Sequence, residues 1–528
     1  MKSFLKNNIF SISFGTLLSK LAGFTRQICI AAAFGIGTAY DAYNYAYIIP
    51  GFLIIIIGGI NGPLHNAIVT VLTPLNSEEA SSVLNKVSIK ITFLLFLIGL
   101  IIFLNANLLI ENIGPNLNEE TKIMAIRQLK ILSPCIPMSG FIGLSFGALN
   151  SKNKFFISSF SPGFISLTTI LFIAFNWLNN FQRKEFNNLF NPELLAIATL
   201  SGTMIQFIVQ IYEISKIGLL KIKYIWGRAL KDEKRIFKLI IPASIASGLG
   251  QINVFVDMFF LSSIKGAASG LAYGNFLIQA PLGILSNTLI LPLLPKFSKL
   301  INNNANKELQ KTLITGIEYC FLTTLFLSGL FLSFNTQIVE LVFQRGAFDY
   351  QAVFTVKRIL IAYAIGIPFY LYRDLLIRTY YSFEKTKLPF NLSIIGIILN
   401  IIFDWIMTGA QTKPFGNLFP YNFGVVGVVL STGLVNLIIC IILSVKLKIN
   451  NVKLPNYILF KKITLISIAS LISSFISSKV INNLYQLSFL EKLKLPVLIF
   501  GCLIFLGIYF LITKLFNVNK FNFKSIFY

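Results

Sequence analysis

The sequence predicts an all-α polytopic membrane protein of about 14 transmembrane helices, built as two parallel six-helix lobes with two further helices at the C-terminal end. Three observations carry that prediction. Of 528 residues, 55% are hydrophobic and only 12% are charged, with a mean hydropathy of +0.75, a balance outside that of soluble domains. Apolar stretches of about 20 to 30 residues, long enough to cross a hydrocarbon core, follow one another along the chain. Distinctive residues also recur at one spacing: Gly35 and Gly266, Pro50 and Pro281, Arg127 and Arg358, Pro137 and Pro368, and Lys154 and Lys385 are each 231 residues apart. The chain is duplicated.

The spans fall near residues 10–34, 39–73, 83–110, 123–150, 155–177, 193–219, 235–263, 267–296, 309–342, 350–382, 389–409, 422–447, 458–483 and 491–515. They are continuously apolar and lack the ten-residue alternation of barrel strands, so helices are expected. The repeat offset crosses six spans, an even number, so both copies enter the membrane in the same direction, related by an axis along its normal. The expected organisation is an N-lobe over 1–225 (helices 1–6), a C-lobe over 226–450 (helices 7–12), and helices 13 and 14 over 451–528. Two such lobes enclose a cleft.

The net charge of +25 would suggest nucleic acid in a soluble protein. Here the Lys and Arg residues sit mostly in short connections, and no aromatic-basic nucleic-acid module occurs, so no nucleic-acid partner is expected. With the N-terminus inside, the even-numbered connections and both termini carry several-fold more Lys and Arg than the odd-numbered ones, which places both ends in the cytoplasm. The densest run, Lys216, Lys221, Lys223, Arg228, Lys231, Arg235 and Lys238, reads as a positive-inside linker lying near anionic membrane lipids. Cys29, Cys135, Cys320, Cys440 and Cys502 all lie in apolar stretches without a CxxC or His-Cys grouping, which argues against disulfide or metal roles. MKSFLKNN runs into the first span without a small-residue cleavage site, as expected of a retained helix.

The first span carries the strongest anomaly, Lys20 and Arg26 inside an apolar run. Each costs about 2.5 to 3.5 kcal/mol near a helix centre. A water-filled cavity receiving an anionic substrate would relieve that cost. Six residues apart, the two point about 120 degrees apart, and Gly23 between them offers close approach to a neighbouring backbone. Asp41 opens the second span, where it either complements the helix dipole, forms a gate with Arg26, or touches substrate. IIGGINGPLHNA, with Gly58, Gly59, Gly62 and Pro63, is expected to break that helix. His65, the only histidine, reads as a satisfied polar residue before a proton relay. Asp257 in the seventh span, with Asn400 and Asp404 one turn apart in the eleventh and Thr432 in the twelfth, could present oxygens to a cation.

SKLAGFTRQ (Ser19 to Gln27) followed by FGIGTAYDAYNYAYIIPGF (Phe34 to Phe52) resembles the MurJ/MviN family of lipid II flippases, in the multidrug/oligosaccharidyl-lipid/polysaccharide exporter superfamily. SPCIPMSGFIGLSFGALNSKNKFF, IPASIASGLGQINVFVDMFFLSS, RGAFD (Arg345 to Asp349) and YYSFEKTKLPFNLSIIGIILNIIFDW extend the resemblance in the same order over nearly the whole chain. The resemblance implies a flippase of the bacterial inner membrane, acting in peptidoglycan biosynthesis and cell shape. Its cargo would be the undecaprenyl-pyrophosphate-linked precursor lipid II, and its other partners membrane lipids and cell-wall synthesis proteins. It implies substrate roles for Lys20, Arg26 and Asp41, a lipid-tail groove in helices 13 and 14, and a sodium site like that of some members at Asp257, Asn400 and Asp404. The chain departs from the common pattern at Gln27, Ile54, Ile55 and Tyr273-Gly274-Asn275-Phe276, where many members carry acidic or arginine residues. Asn275 is therefore retained as a substrate-contact candidate, and replacement cations are sought on the tenth helix, in Arg373 and Arg378. Asp374 and Arg378 have ion-pair spacing, leaving Arg373 freer for substrate. No cofactor is expected beyond Na+ or H+ as coupling ion, and the absence of a Walker motif argues against ATP hydrolysis. Competing expectations are a flippase for another polyprenyl-linked glycan and a drug/cation antiporter, the latter disfavoured by Lys20 and Arg26. A membrane enzyme would need a catalytic motif in a long loop, and these loops are short.

Overall fold

The computed structural model describes residues 2–58, 62–183, 191–220, 230–303, 305–409, 422–447, 456–485 and 494–516, and every described secondary-structure element is helical. Lys221, Lys223 and Arg228 of the basic linker and Gly59 of the second-span break lie outside the described residues. Among the described residues, twelve helices are long and apolar enough to cross a membrane, or thirteen when one bent pair is taken as a single span. The expected fifth span is divided, and its apolar part, Gly163–Asn179, is shorter than those twelve.

The chain forms two compact units, Met1–Ser269 with Arg345–Phe348, and Gly270–Gln344 with Asp349–Tyr528. The first contains α1 (Lys2–Phe34), α2 (Thr38–Leu53), α3 (Pro63–Leu72), α4 (Ser77–Leu104), α5 (Ala106–Ile113), α6 (Glu119–Leu132), α7 (Cys135–Ser151), α8 (Phe155–Phe160), α9 (Gly163–Arg183), α10 (Leu194–Lys216), α11 (Leu230–Leu261) and the first turn of α12 (Ala267–Leu285). Its core runs through Tyr45, Leu64, Ile68, Val87, Leu129, Ile136 and Leu144, all nearly inaccessible. Small residues set the helix spacing, as expected where lipid supplies no hydrophobic drive between helices. A side chain at Gly15 would meet Ser159 and the Phe156 carbonyl on α8 at 3.1 and 3.2 Å, whereas one at Gly23 would meet only Ser166 Oγ at 3.9 Å. The close approach predicted for Gly23 is therefore made by Gly15, about three turns before Arg26 along α1.

The second unit holds the rest of α12 with α13 (Leu293–Asn302), α14 (Asn306–Phe343), α15 (Tyr350–Ser382), α16 (Lys387–Thr408), α17 (Val425–Lys446), α18 (Asn456–Tyr485) and α19 (Lys494–Leu515). Leu313, Ile317, Leu371, Leu375, Tyr380, Ile439 and Leu443 form its core. A row of hydroxyls fastens α18 to α14: Ser470 Oγ donates to the Leu325 carbonyl at 2.7 Å, Ser474 Oγ to that of Gly329 at 2.8 Å, and Ser477 Oγ lies 3.3 Å from Ser333 Oγ. Tyr509 on α19 adds a bond to the Leu322 carbonyl at 2.7 Å. A Cβ at Gly329 would come within 2.5 Å of both Phe505 and Ser470. Gly329→Leu should therefore cost about 1–3 kcal/mol by overpacking and loosen α18 and α19, read as faster proteolysis after residue 447; unchanged proteolysis would show that the hydroxyl row alone holds them.

The duplication is legible in backbone geometry. Gly35 and Gly266 both adopt left-handed conformations, φ +55° and +77°, just before α2 and α12. Asn153 and Glu384, again 231 residues apart, both sit at φ +59° after α7 and α15, where a left-handed residue closes the helix with the bonds Lys154 N to Leu149 O and Lys385 N to Tyr380 O. Asn118 and Asp349 both cap a following helix by accepting from the third residue on. Pro50 and Pro281 lie inside α2 and α12, and each helix continues into a π-turn, Ile54–Gly58 and Ser286–Ile290. Proline removes a helical donor and loosens the ladder. In the first unit Ser244 on α11 donates to the Ile56 carbonyl at 3.1 Å.

Candidate functional site

In the first unit, α1 delivers Arg26 to the tyrosine-bearing face of α2. Tyr40, Tyr43 and Tyr47, spaced as successive turns of one helix face, stack nearly parallel, with centroids 6.2 and 5.6 Å apart and planes 12° and 15° from parallel. Gln27 donates to the Tyr40 hydroxyl at 2.9 Å, and the Tyr43 hydroxyl bonds Thr199 Oγ1 on α10 at 2.9 Å. Arg26, the residue before Gln27, lies beside this row. Its Nε is buried without a hydrogen-bond partner, and among the described residues neither Arg26 nor the exposed Lys20 forms an ion pair. Gln27, the next residue, is neutral, so among the described residues that positive charge stays uncompensated.

Asp41 does not pair with Arg26. Only 4% exposed, it accepts from the backbone N–H groups of Gly266 at 2.6 Å and Ser269 at 2.7 Å and from Ser269 Oγ at 2.6 Å. It thus satisfies orphan donors at the start of α12, where a carboxylate also suits the helix dipole. The expected cap exists, but on another helix. Beside it, the RGAFD loop docks on the end of α1: Ala347 N donates to the Ala32 carbonyl at 2.8 Å. Gly346 is left-handed at φ +57°, and a Cβ there would lie 2.3 Å from Ala32 O; one on Gly35 would lie 2.3 Å from Ala347 O. His65 accepts from the Asn150 amide at 2.8 Å, and Asn150 in turn accepts from Ser158 at 2.7 Å, so the only histidine is a satisfied member of a polar chain.

In the second unit, Asp374 pairs with Arg378 at 3.0 Å and also accepts from Ser286 at the π-turn at 3.0 Å. Arg373 is not left free: its Nη1 donates to Asn436 Oδ1, and its guanidinium lies 5.3 Å from the Tyr370 ring centroid. Asparagine and an aromatic face hold the cation without neutralising it, and its Nε is buried with no hydrogen-bond partner. Asn275 is exposed and accepts from Gln279 at 3.2 Å, while Phe276 packs on Phe343. Asn400 and Asp404 are 1% and 0% exposed, joined at 2.9 Å. Ser431 and Thr432 each lie 3.4 Å from Asn400 Oδ1, and Thr408 donates to the Asp404 carbonyl. Asp257 belongs to the first unit. Among the described residues no group of three or more His, Cys, Asp or Glu side chains is arranged to hold a metal.

Sequence reasoning missed the phenol row, Ser269 as the partner of Asp41, and Asn436 as the partner of Arg373. Only the first was visible in advance, in the 40, 43, 47 spacing.

A duplicated, helical, multi-pass protein with uncompensated cations inside its spans belongs to the class of transporters of anionic or lipid-linked cargo. The family model "Lipid II flippase MurJ" matches residues 30–494, and the chain belongs to that family. A "Probable lipid II flippase MurJ" from Synechocystis sp. is 38% identical over 428 residues, covering 81% of this chain and 78% of that one. "Lipid II flippase MurJ" from Thermosipho africanus is 27% identical over 433 residues, covering 81% and 82%. Among solved structures, "Lipid II flippase MurJ, inward closed conformation" aligns with a TM-score of 0.72 at 26% identity over 96% of this chain and 98% of that one. An inward-facing multidrug-resistance transporter of the MATE family shares the fold, with a TM-score of 0.63 at 12% identity over 87% and 98%. As a member of its family the protein is a transporter, not an enzyme.

Proposed function

We propose that this protein flips lipid II, the undecaprenyl-pyrophosphate-linked peptidoglycan precursor, from the inner to the outer leaflet of the bacterial cytoplasmic membrane by alternating access. The observation that carries the reading is the half-buried Arg26 beside the phenol row, its Nε buried without a hydrogen-bond partner and, among the described residues, no carboxylate paired with it. A pyrophosphate supplies the missing charge, since a guanidinium fork matches phosphate oxygens. Lys20, and in the second unit Arg373, are the other cations offered to the headgroup, with Asn275 and the paired Arg378 at its margin. A drug/cation antiporter would need the opposite lining.

In this proposal 14 helices form two parallel six-helix lobes with both termini cytoplasmic, and the last two helices receive the polyprenyl tail. Asp41 and Ser269 then belong to different lobes. Their bonds, with the Ala32–Ala347 clasp, form a latch that opens and closes in each cycle. Asn400, Asp404 and Thr432 contribute oxygens, with Asp257, to a Na+ or H+ site that couples transport to an ion gradient or the membrane potential. Asp404→Asn should shift the sodium or pH dependence of transport while leaving lipid II binding within about twofold; an unchanged dependence leaves Asp404 a structural hydrogen-bonding role. The decisive experiment is depletion followed by a leaflet assay for lipid II. Precursor accumulating in the inner leaflet is expected, whereas normal lipid II flipping with arrest of a different polyprenyl-linked glycan would reassign the cargo.

A further inference from the structure

Resting on the polyprenyl-pyrophosphate cargo proposed above, we infer that Tyr47 is a headgroup-binding residue whose phenolic hydroxyl donates to the phosphate oxygens attracted by Arg26. Two of the three stacked phenols are already engaged, Tyr40 with Gln27 and Tyr43 with Thr199. The third is not: the Tyr47 hydroxyl has no hydrogen-bond partner among the described residues, and its ring is only half-buried. Buried tyrosine hydroxyls usually find a partner. Here the open phenol lies within the field of Arg26, whose Nε is likewise a donor without an acceptor. Both groups are donors without an acceptor, and the nearby positive charge makes an anion the fitting one.

This assignment also accounts for a chemical deficit. The second span, TAYDAYNYAYIIPGFL over Thr38–Leu53, contains no lysine or arginine, so this helix brings no cation of its own to an anionic headgroup. A phenol supplies a hydrogen-bond donor without the desolvation cost of another buried cation. Stacking against Tyr43 holds the ring in place beforehand, so little side-chain freedom is lost when the headgroup arrives.

The test uses purified full-length protein in lipid nanodiscs and two probes, lipid II and undecaprenyl pyrophosphate without sugars or peptide. Tyr47→Phe keeps the ring and its stacking and removes only the hydroxyl. It should weaken binding of both probes roughly ten- to hundredfold, as for loss of one hydrogen bond to a charged group, with the thermal midpoint unchanged. Wild-type affinity in Tyr47→Phe alongside lost binding in Arg26→Ala would overturn the role of the phenol and leave the cargo assignment standing. Weaker binding of lipid II alone would mean that the hydroxyl reads the saccharide or peptide, which also overturns the inference. Wild-type binding of both probes by Arg26→Ala would instead bring down the cargo reading itself.

Discussion

Arg26→Ala should abolish rescue of a cell depleted of its own flippase while the variant protein accumulates in the membrane at normal levels. The two halves of that result come from the same physics. A guanidinium inside a span costs about 2.5 to 3.5 kcal/mol to insert, so removing it eases insertion. Any loss of function then reports the work of the charge and not the integrity of the fold. Lys20→Ala should fail in the same way, with the variant again inserted and abundant. Full rescue by both single variants would remove the cationic site from the mechanism.

Substitutions at Asp41 should produce the second large effect, and they should be graded. Asp41→Ala deletes the acceptor of three hydrogen bonds and strands two backbone donors. At about 1.5–3 kcal/mol for each bond to a charged group, the loss amounts to several kcal/mol. Asp41→Asn keeps one good acceptor and turns its amide toward a donor, so it should be intermediate. Ser269→Ala removes a single bond and should be mildest. The thermal midpoint and transport rate should both follow that order. Asp41→Ala with wild-type stability would show that water replaces the carboxylate and that no latch exists.

How much of this was legible in the chain depended on how far each interaction reaches along it. Helix positions and the duplication were readable because apolar runs and residue spacings are one-dimensional. The same offset relates the left-handed residues Asn153 and Glu384, which the sequence did not announce because neither is a glycine. Breaks were readable where glycines cluster with proline, as before Pro63, but less so where proline stands without glycine. The 45° bend between Glu119–Leu132 and Cys135–Ser151 falls at Pro134, inside what looked like one span. Partners were the hardest to foresee. Asp41 sits where a carboxylate would cap its own helix, yet its oxygens meet N–H groups more than 220 residues away. Arg373 was read as free because its neighbour Asp374 takes Arg378, but Asn436 lies on another helix and carries no charge to draw attention. The phenol row was within reach of sequence, but aromatic stripes at helical spacing usually mark a core.

The repeated backbone has a further consequence for how opposite charges came to be divided. At the 231-residue spacing that aligns the glycine joints and capped helices, Arg26 of the first copy answers to Asp257 of the second, and Lys20 to Gln251. The same helical position thus carries a cation in the first copy and a carboxylate in the second. Duplication followed by divergence has therefore left the two copies with unlike charge at matched positions, on helices whose joints and caps still follow one pattern.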